Sequence, residues 1–209
     1  MENLKWSRGN SKLIKLHTVS FGIPALMSAD GFKTCPQAGA CAAVCYARQG
    51  MYIMPNVKST REFNLKIARE NIHEFIRMAD QDLSGMSETL IRIHDSGDFF
   101  SQTYLDAWIF LARKHPEKKF YAYTKSLHLN FTGLPSNFKV TQSEGGKLDS
   151  QIDKSKSHSR IFTSDADRRK AGYGDGSNTD TLAIRGAIKI GLVYHGTRKL
   201  TDAQSAYFK

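Results

Sequence analysis

Cysteine is scarce in this chain of 209 residues: there are three, Cys35, Cys41 and Cys45. An odd number excludes a closed disulfide framework. Long apolar runs are missing too. Nowhere do eighteen apolar residues follow one another, so no membrane span is expected. The opening stretch, MENLKWSRGNSKLIKLHTVSF, lacks the apolar core of a secretory signal, and the protein is expected to be cytoplasmic. No internal repeat or long linker breaks the sequence, and its length suits a single domain over residues 1–209. Carboxylates are outnumbered. Twenty Asp and Glu stand against thirty Lys and Arg, a formal net charge of +10. That excess is compatible with a polyanionic partner such as nucleic acid. The basic residues are scattered, and the densest stretches, Lys154 to Lys156 and Arg168-Arg169-Lys170, are short. A solvated basic surface that binds nucleic acid only weakly is the expectation.

What is present alternates between two periods. Residues 12–21, KLIKLHTVSF, read as a strand. A Gly- and Ala-rich loop follows and runs into a short helix near Ala42. Residues 58–79 are strongly helical, with Phe63, Ile67, Ile72, Phe75 and Ile76 on one face. TLIRIH, 89–94, is a β-branched strand that ends in the turn-like DSGDFFS. Ser101 then caps a helix over 102–114 that buries Leu105, Trp108, Ile109 and Ala112. Further strands are expected at 118–124, 138–146, 159–164 and 187–196. Alternating strand and helix argue for a parallel sheet with crossover helices, hence an α/β fold. The helices are too few for a complete eight-unit barrel, so an incomplete TIM-like barrel or open sheet fits.

In such folds the ligand sits at the carboxyl ends of the strands. There the sequence places Asp95, Ser96 and Asp98, then Thr124, Lys125 and Ser126. Gln142, Ser143 and Glu144 follow, and Ser164 and Asp165 come last. Glycines in the stretch from Gln142 to Gly146 let a backbone approach a ligand closely, although they equally suit a plain loop. Asp95 and Asp98 fit turn closure and helix capping as well as ligand binding. His94, within a strand, reads as a satisfied, half-buried residue.

All three cysteines fall within TCPQAGACAAVCYARQG, residues 34–50, spaced C-x5-C-x3-C. Thiolates this close repel one another unless a cation lies between them. Three readings stand side by side: an iron-sulfur cluster with one open iron, a structural zinc site with a fourth ligand such as His94 or His195, and inert buried thiols.

SFGIPAL, CPQAGACAAVCYA, IRIHDSGDFFSQTYLDAWIFLARKHPEKKFYAYTKS and GLVYHG together resemble the gene-product-88 family of phage-encoded proteins. That family is itself similar to radical S-adenosylmethionine (SAM) enzymes. The resemblance implies a partial barrel of the radical SAM type, located in the host cytoplasm. It implies that Cys35, Cys41 and Cys45 hold three irons of a [4Fe-4S] cluster. SAM would bind at the fourth iron and be cleaved reductively. Ser96-Gly97-Asp98 resembles the family's Gly-Gly-Glu motif, which assigns Asp98 to the ammonium of SAM. Thr124 and Lys125 would meet its ribose or carboxylate, and Gln142 and Ser143 would bring backbone N–H groups to it. The cysteine spacing differs from the C-x3-C-x2-C common among radical SAM enzymes. The stretch SDADRRKAGYGDGSNTDTLA carries no second cysteine cluster. A second expectation from the charge is a nucleic-acid-binding accessory protein with a structural metal site.

Overall fold

The computed structural model describes residues 2–9, 11–195, 200–202, 205 and 208. The chain opens with strand β1 (Trp6–Ser7), the single turn α1 (Ser11–Lys15) and strand β2 (Thr18–Phe21). The strand expected over 12–21 is therefore half helix. His17, at a φ of 49°, turns the chain from one conformation to the other. The cysteine segment contains three short 3-10 turns, Ala40–Val44, Tyr46–Arg48 and Gly50–Ile53.

The helix expected over 58–79 is two helices, α2 (Pro55–Glu70) and α3 (Ile72–Gly85). Asn71 separates them with a non-helical backbone, and its side chain accepts the Glu74 N–H at 3.0 Å. Asparagine caps a helix better than it continues one, because its amide competes for nearby backbone groups. Strand β3 (Leu90–Ile93) leads to α4 (Gln102–Lys114), where Ser101 accepts the Tyr104 N–H at 3.2 Å as the sequence suggests. Then come β4 (Lys119–Thr124), β5 (Phe138–Ser143) and β6 (His158–Phe162). The chain continues through α5 (Asp165–Lys170), β7 (Gly174–Asp175), α6 (Thr181–Arg185) and β8 (Lys189–Val193). Gly196, the end of the last expected strand, lies outside the described residues.

The strands form one sheet in the order β1-β2-β3-β4-β5-β6-β8-β7. Only β1 runs antiparallel to its neighbour; every other pair is parallel. This is an α/β fold with a mixed eight-stranded sheet, consistent with a partial barrel. No helix among the described residues is long and apolar enough to cross a membrane.

Alternation along each strand gives the sheet two unlike faces. Val19, Phe21, Ile91, Ile93, Phe120, Ala122 and Phe138 point to one face and pack against α2, α3 and α4. Trp108 lies at the centre of that core, its ring against Trp6, Phe21, Phe75 and Tyr104. The opposite, inner face carries Tyr121 and Ile190, which pack against Ala183 of α6.

A polar inner face under a clasped loop

The cysteine segment is fastened across the carboxyl ends of the strands. Gly39 and Cys41 donate their N–H groups to the Gly145 carbonyl at 3.1 and 3.0 Å, and Lys147 N–H reaches the Gln37 carbonyl at 2.9 Å. The Gly145 and Gly146 N–H groups are held by the Asp149 carboxylate at 2.9 and 2.8 Å. Gly145 has a φ of 97°, and a Cβ there would stand 3.1 Å from that of Cys41. The glycine is required both for its backbone angle and for this close approach.

The rim beneath is tied together by residues that the sequence singles out. Asp98 is buried, and its carboxylate accepts three bonds: from the Thr124 hydroxyl at 2.6 Å, the Lys125 N–H at 2.8 Å and the Phe99 N–H at 2.8 Å. Burial pushes its pKa above the ordinary value, and these donors oppose the shift. Ser96 Oγ donates to the Ile23 carbonyl at 2.6 Å. Gly97, at a φ of 86°, packs directly on Ile23, where a side chain has no room. Gln142 makes two bonds to the Asp153 backbone, both at 2.9 Å. Lys125 and Ser143 differ from these: their side chains meet each other, Nζ to Oγ, at 2.7 Å.

Register explains the difference. Tyr121 pairs with Lys139 and Tyr123 with Thr141, so one step further places Lys125 beside Ser143. Ser143 in turn pairs with Ser159. Partners in parallel register share a face, so Lys125, Ser143 and Ser159 form a row on the inner face. Below it lie Tyr123 and Thr141, then Ser20, Arg92 and Tyr121. Arg92 Nε, Tyr123 Oη and Ser159 Oγ on this face are buried and have no hydrogen-bond partner among the described residues. A buried polar atom left so costs about 1–3 kcal/mol, which a ligand or water can recover. At the foot of the face, Asp180 meets Lys12 at 2.8 Å, Arg92 at 3.0 Å and the Tyr121 hydroxyl at 2.9 Å. Burial disfavours the Asp180 charge, yet Arg92 and Lys12 hold its pKa below the ordinary value. Asp175 acts on Lys12 from further off.

The cysteines do not form a metal centre. No group of three or more His, Cys, Asp or Glu side chains among the described residues is arranged to hold a metal ion. This overturns the [4Fe-4S] cluster on Cys35, Cys41 and Cys45 and the structural zinc alternative. It also removes SAM at an open iron, reductive SAM cleavage and the radical SAM assignment. The physical reason lies in the thiols. Cys35 Sγ accepts the Leu26 N–H at 3.3 Å, and burial together with the Asp98 carboxylate pushes its thiol up to about 12. Burial and the neighbouring Cys41 raise the Cys45 thiol, against the pull of Ala47 N–H, Lys125 and Arg48. Among the described residues the three thiols are not grouped with further ligands around a common centre.

The nucleic-acid expectation is corrected as well. Arg168 and Arg169 both pair with Asp165, Lys154 with Glu144 and Lys156 with Asp153. The basic stretches that carried it are thus largely neutralised by adjacent carboxylates. His94 is more deeply buried than expected, with Nε2 3.0 Å from the Tyr104 hydroxyl and Nδ1 unpartnered. Sequence reasoning missed Arg92, Tyr123, Ser159 and Asp180. One signal was available: an arginine inside the β-branched run LIRI must face somewhere polar or paired.

Comparison with known proteins places this chain in a family. The model of the family described as Gene product 88 matches residues 3–206. The Gene 88 protein of Mycobacterium phage L5 is 36% identical over 150 residues, covering 59% of this chain and 60% of its own. The Gene 88 protein of Mycobacterium phage D29 is 32% identical over 155 residues, covering 61% and 62%. The chain thus spans about three fifths of the length of these curated relatives. No solved structure matches it.

Proposed function

The chain belongs to the Gene product 88 family, and we propose that it is a binding protein for a small organic anion. The ligand lies on the inner face, at the carboxyl ends of β4, β5 and β6, beneath the cysteine segment. The observation that supports this is the state of Lys125. Its half-buried ammonium bonds to the neutral Ser143 hydroxyl. No carboxylate among the described residues pairs with it. Asp98 acts on it electrostatically, but that carboxylate is already filled by three other donors. An ammonium held this way in a partly dry setting favours an incoming anion, because the low dielectric strengthens the attraction. In this reading Lys125 and Ser143 touch the ligand, with Ser159 beside them. Ser96, Gly97, Asp98, Thr124 and Gln142 position the rim.

The test is a thermal-shift series with acetate, butyrate, succinate, citrate and inorganic phosphate. An anion present at about 100 times its Kd stabilises the fold by about 2.7 kcal/mol. For a chain of this length that corresponds to a rise of roughly 5–10 °C in Tm. The variant Lys125→Met keeps the ligand-free Tm within a few degrees and loses the rise. If none of these anions raises Tm, or if Lys125→Met responds as the wild type does, the proposal fails.

A further inference from the structure

Resting on that reading, we infer that the ligand is a short dicarboxylate that spans the inner face, with one carboxylate at Lys125 and the other at Arg92 Nε and Tyr123 Oη. The lower end offers what a second carboxylate needs. Arg92 and Lys12 share the single Asp180 carboxylate, at 3.0 and 2.8 Å, so the guanidinium is only partly compensated. Its Nη1 points to Asp180, while its Nε is buried and has no hydrogen-bond partner among the described residues. The Tyr123 hydroxyl is buried and unpartnered as well. The two belong to one place: the guanidinium carbon lies 5.6 Å from the Tyr123 ring centroid. A buried guanidinium N–H and a buried phenol hydroxyl on neighbouring side chains suit an oxygen acceptor, and the charge suits an anionic one.

The spacing selects the class. Tyr123 and Lys125 are two residues apart on a strand end, about 6–7 Å along the chain at the usual rise. At that backbone spacing a single phosphate or carboxylate bridges the two groups less readily than a longer dianion. Two carboxylates joined by a short aliphatic chain make such a dianion. Beside Lys125 the face also offers the Ser143 and Ser159 hydroxyls.

The test is isothermal titration of acetate, butyrate, succinate, glutarate and adipate into the full chain. One of the dicarboxylates binds at least about tenfold more tightly than butyrate, as one added charge-assisted bond implies. Arg92 variants risk unfolding, because they leave Asp180 buried beside one cation. Tyr123→Phe is therefore the informative change. It lowers dicarboxylate affinity about fivefold to tenfold, leaves butyrate unchanged, and does not lower Tm, since it deletes an unpartnered hydroxyl. A purely structural tyrosine predicts no change in the dicarboxylate-to-butyrate ratio. If butyrate binds through Lys125 but dicarboxylates gain nothing and Tyr123→Phe alters nothing, the inference falls while the anion site stands. If none of the five acids binds, the inference falls, and the anion site falls with it unless citrate raises Tm in the thermal-shift series.

Discussion

Asp98→Ala lowers the free energy of unfolding by about 2–4 kcal/mol. The substitution orphans the Lys125 and Phe99 N–H groups and the Thr124 hydroxyl, all of which the carboxylate now satisfies. Each buried donor left bare costs about 1–3 kcal/mol, and rotation of the threonine recovers part of the total. Relief from holding a buried charge recovers more, which keeps the sum below simple addition. For a chain of this length the loss amounts to roughly 5–15 °C in Tm. Asp98→Asn retains one acceptor and falls between alanine and wild type. Urea unfolding at neutral pH measures all three proteins. An alanine variant within about 0.5 kcal/mol of wild type, the usual range for a surface change, would show that the carboxylate does not hold the rim.

His94 gives the protein a pronounced acid sensitivity. The ring is buried against Phe99 and Tyr104, and burial alone lowers its pKa from 6.5 to about 3. The folded state therefore keeps the imidazole neutral, while the unfolded chain takes up a proton below 6.5. The stabilisation is complete above that value and is lost progressively as pH falls toward the folded pKa. Each unit is worth about 1.4 kcal/mol, so wild type loses about 3 kcal/mol between pH 7 and pH 4 from this residue. His94→Asn removes the titration and tolerates the positive φ of 65° at this position. Urea titrations of both proteins across that range isolate the histidine as the difference between their slopes. Parallel slopes would refute the assignment.

The sheet was legible where side chains carry the strand signal themselves. LIRI, KFYAYT and FKVTQS carry β-branched or aromatic residues; the first two are strands within a residue of their expected limits, and the third starts at Phe138 as expected but ends at Ser143, before the glycines. The helix after β3 was legible because Ser101 marks its start. The break at Asn71 was not, since Ile67, Ile72, Phe75 and Ile76 keep a helical phase across it. The single turns α5 and α6 are shorter than any stretch whose periodicity can be counted. The rim residues could be named from their places at strand ends, but their roles depend on distant partners. Asp98 reads in the sequence as a turn or ligand residue, and its carboxylate is taken up by Thr124 and Lys125 from the next strand. Arg92 needs a polar or charged partner, and its partner Asp180 is 88 positions away. The cysteines misled for the same reason. Their spacing is local, whereas ionisation depends on burial and on a carboxylate from another loop.

The clasp between Ala38 and Gly146 also dictates an order of assembly. It closes a loop of roughly 110 residues, and closure of that length is entropically unfavourable until the intervening chain has condensed. The cysteine segment is synthesised early, yet it has nowhere to dock until β3, β4 and β5 are built. During folding the cysteine segment is therefore expected to dock only after β3, β4 and β5 have come together. The same topology makes it the first to open, because the clasp holds by a few backbone bonds at an edge and the strands hold by a buried core. The amides of Gly39 and Cys41 exchange with solvent through this local opening. Those of Ile91 and Ala122 wait for the whole sheet to come apart.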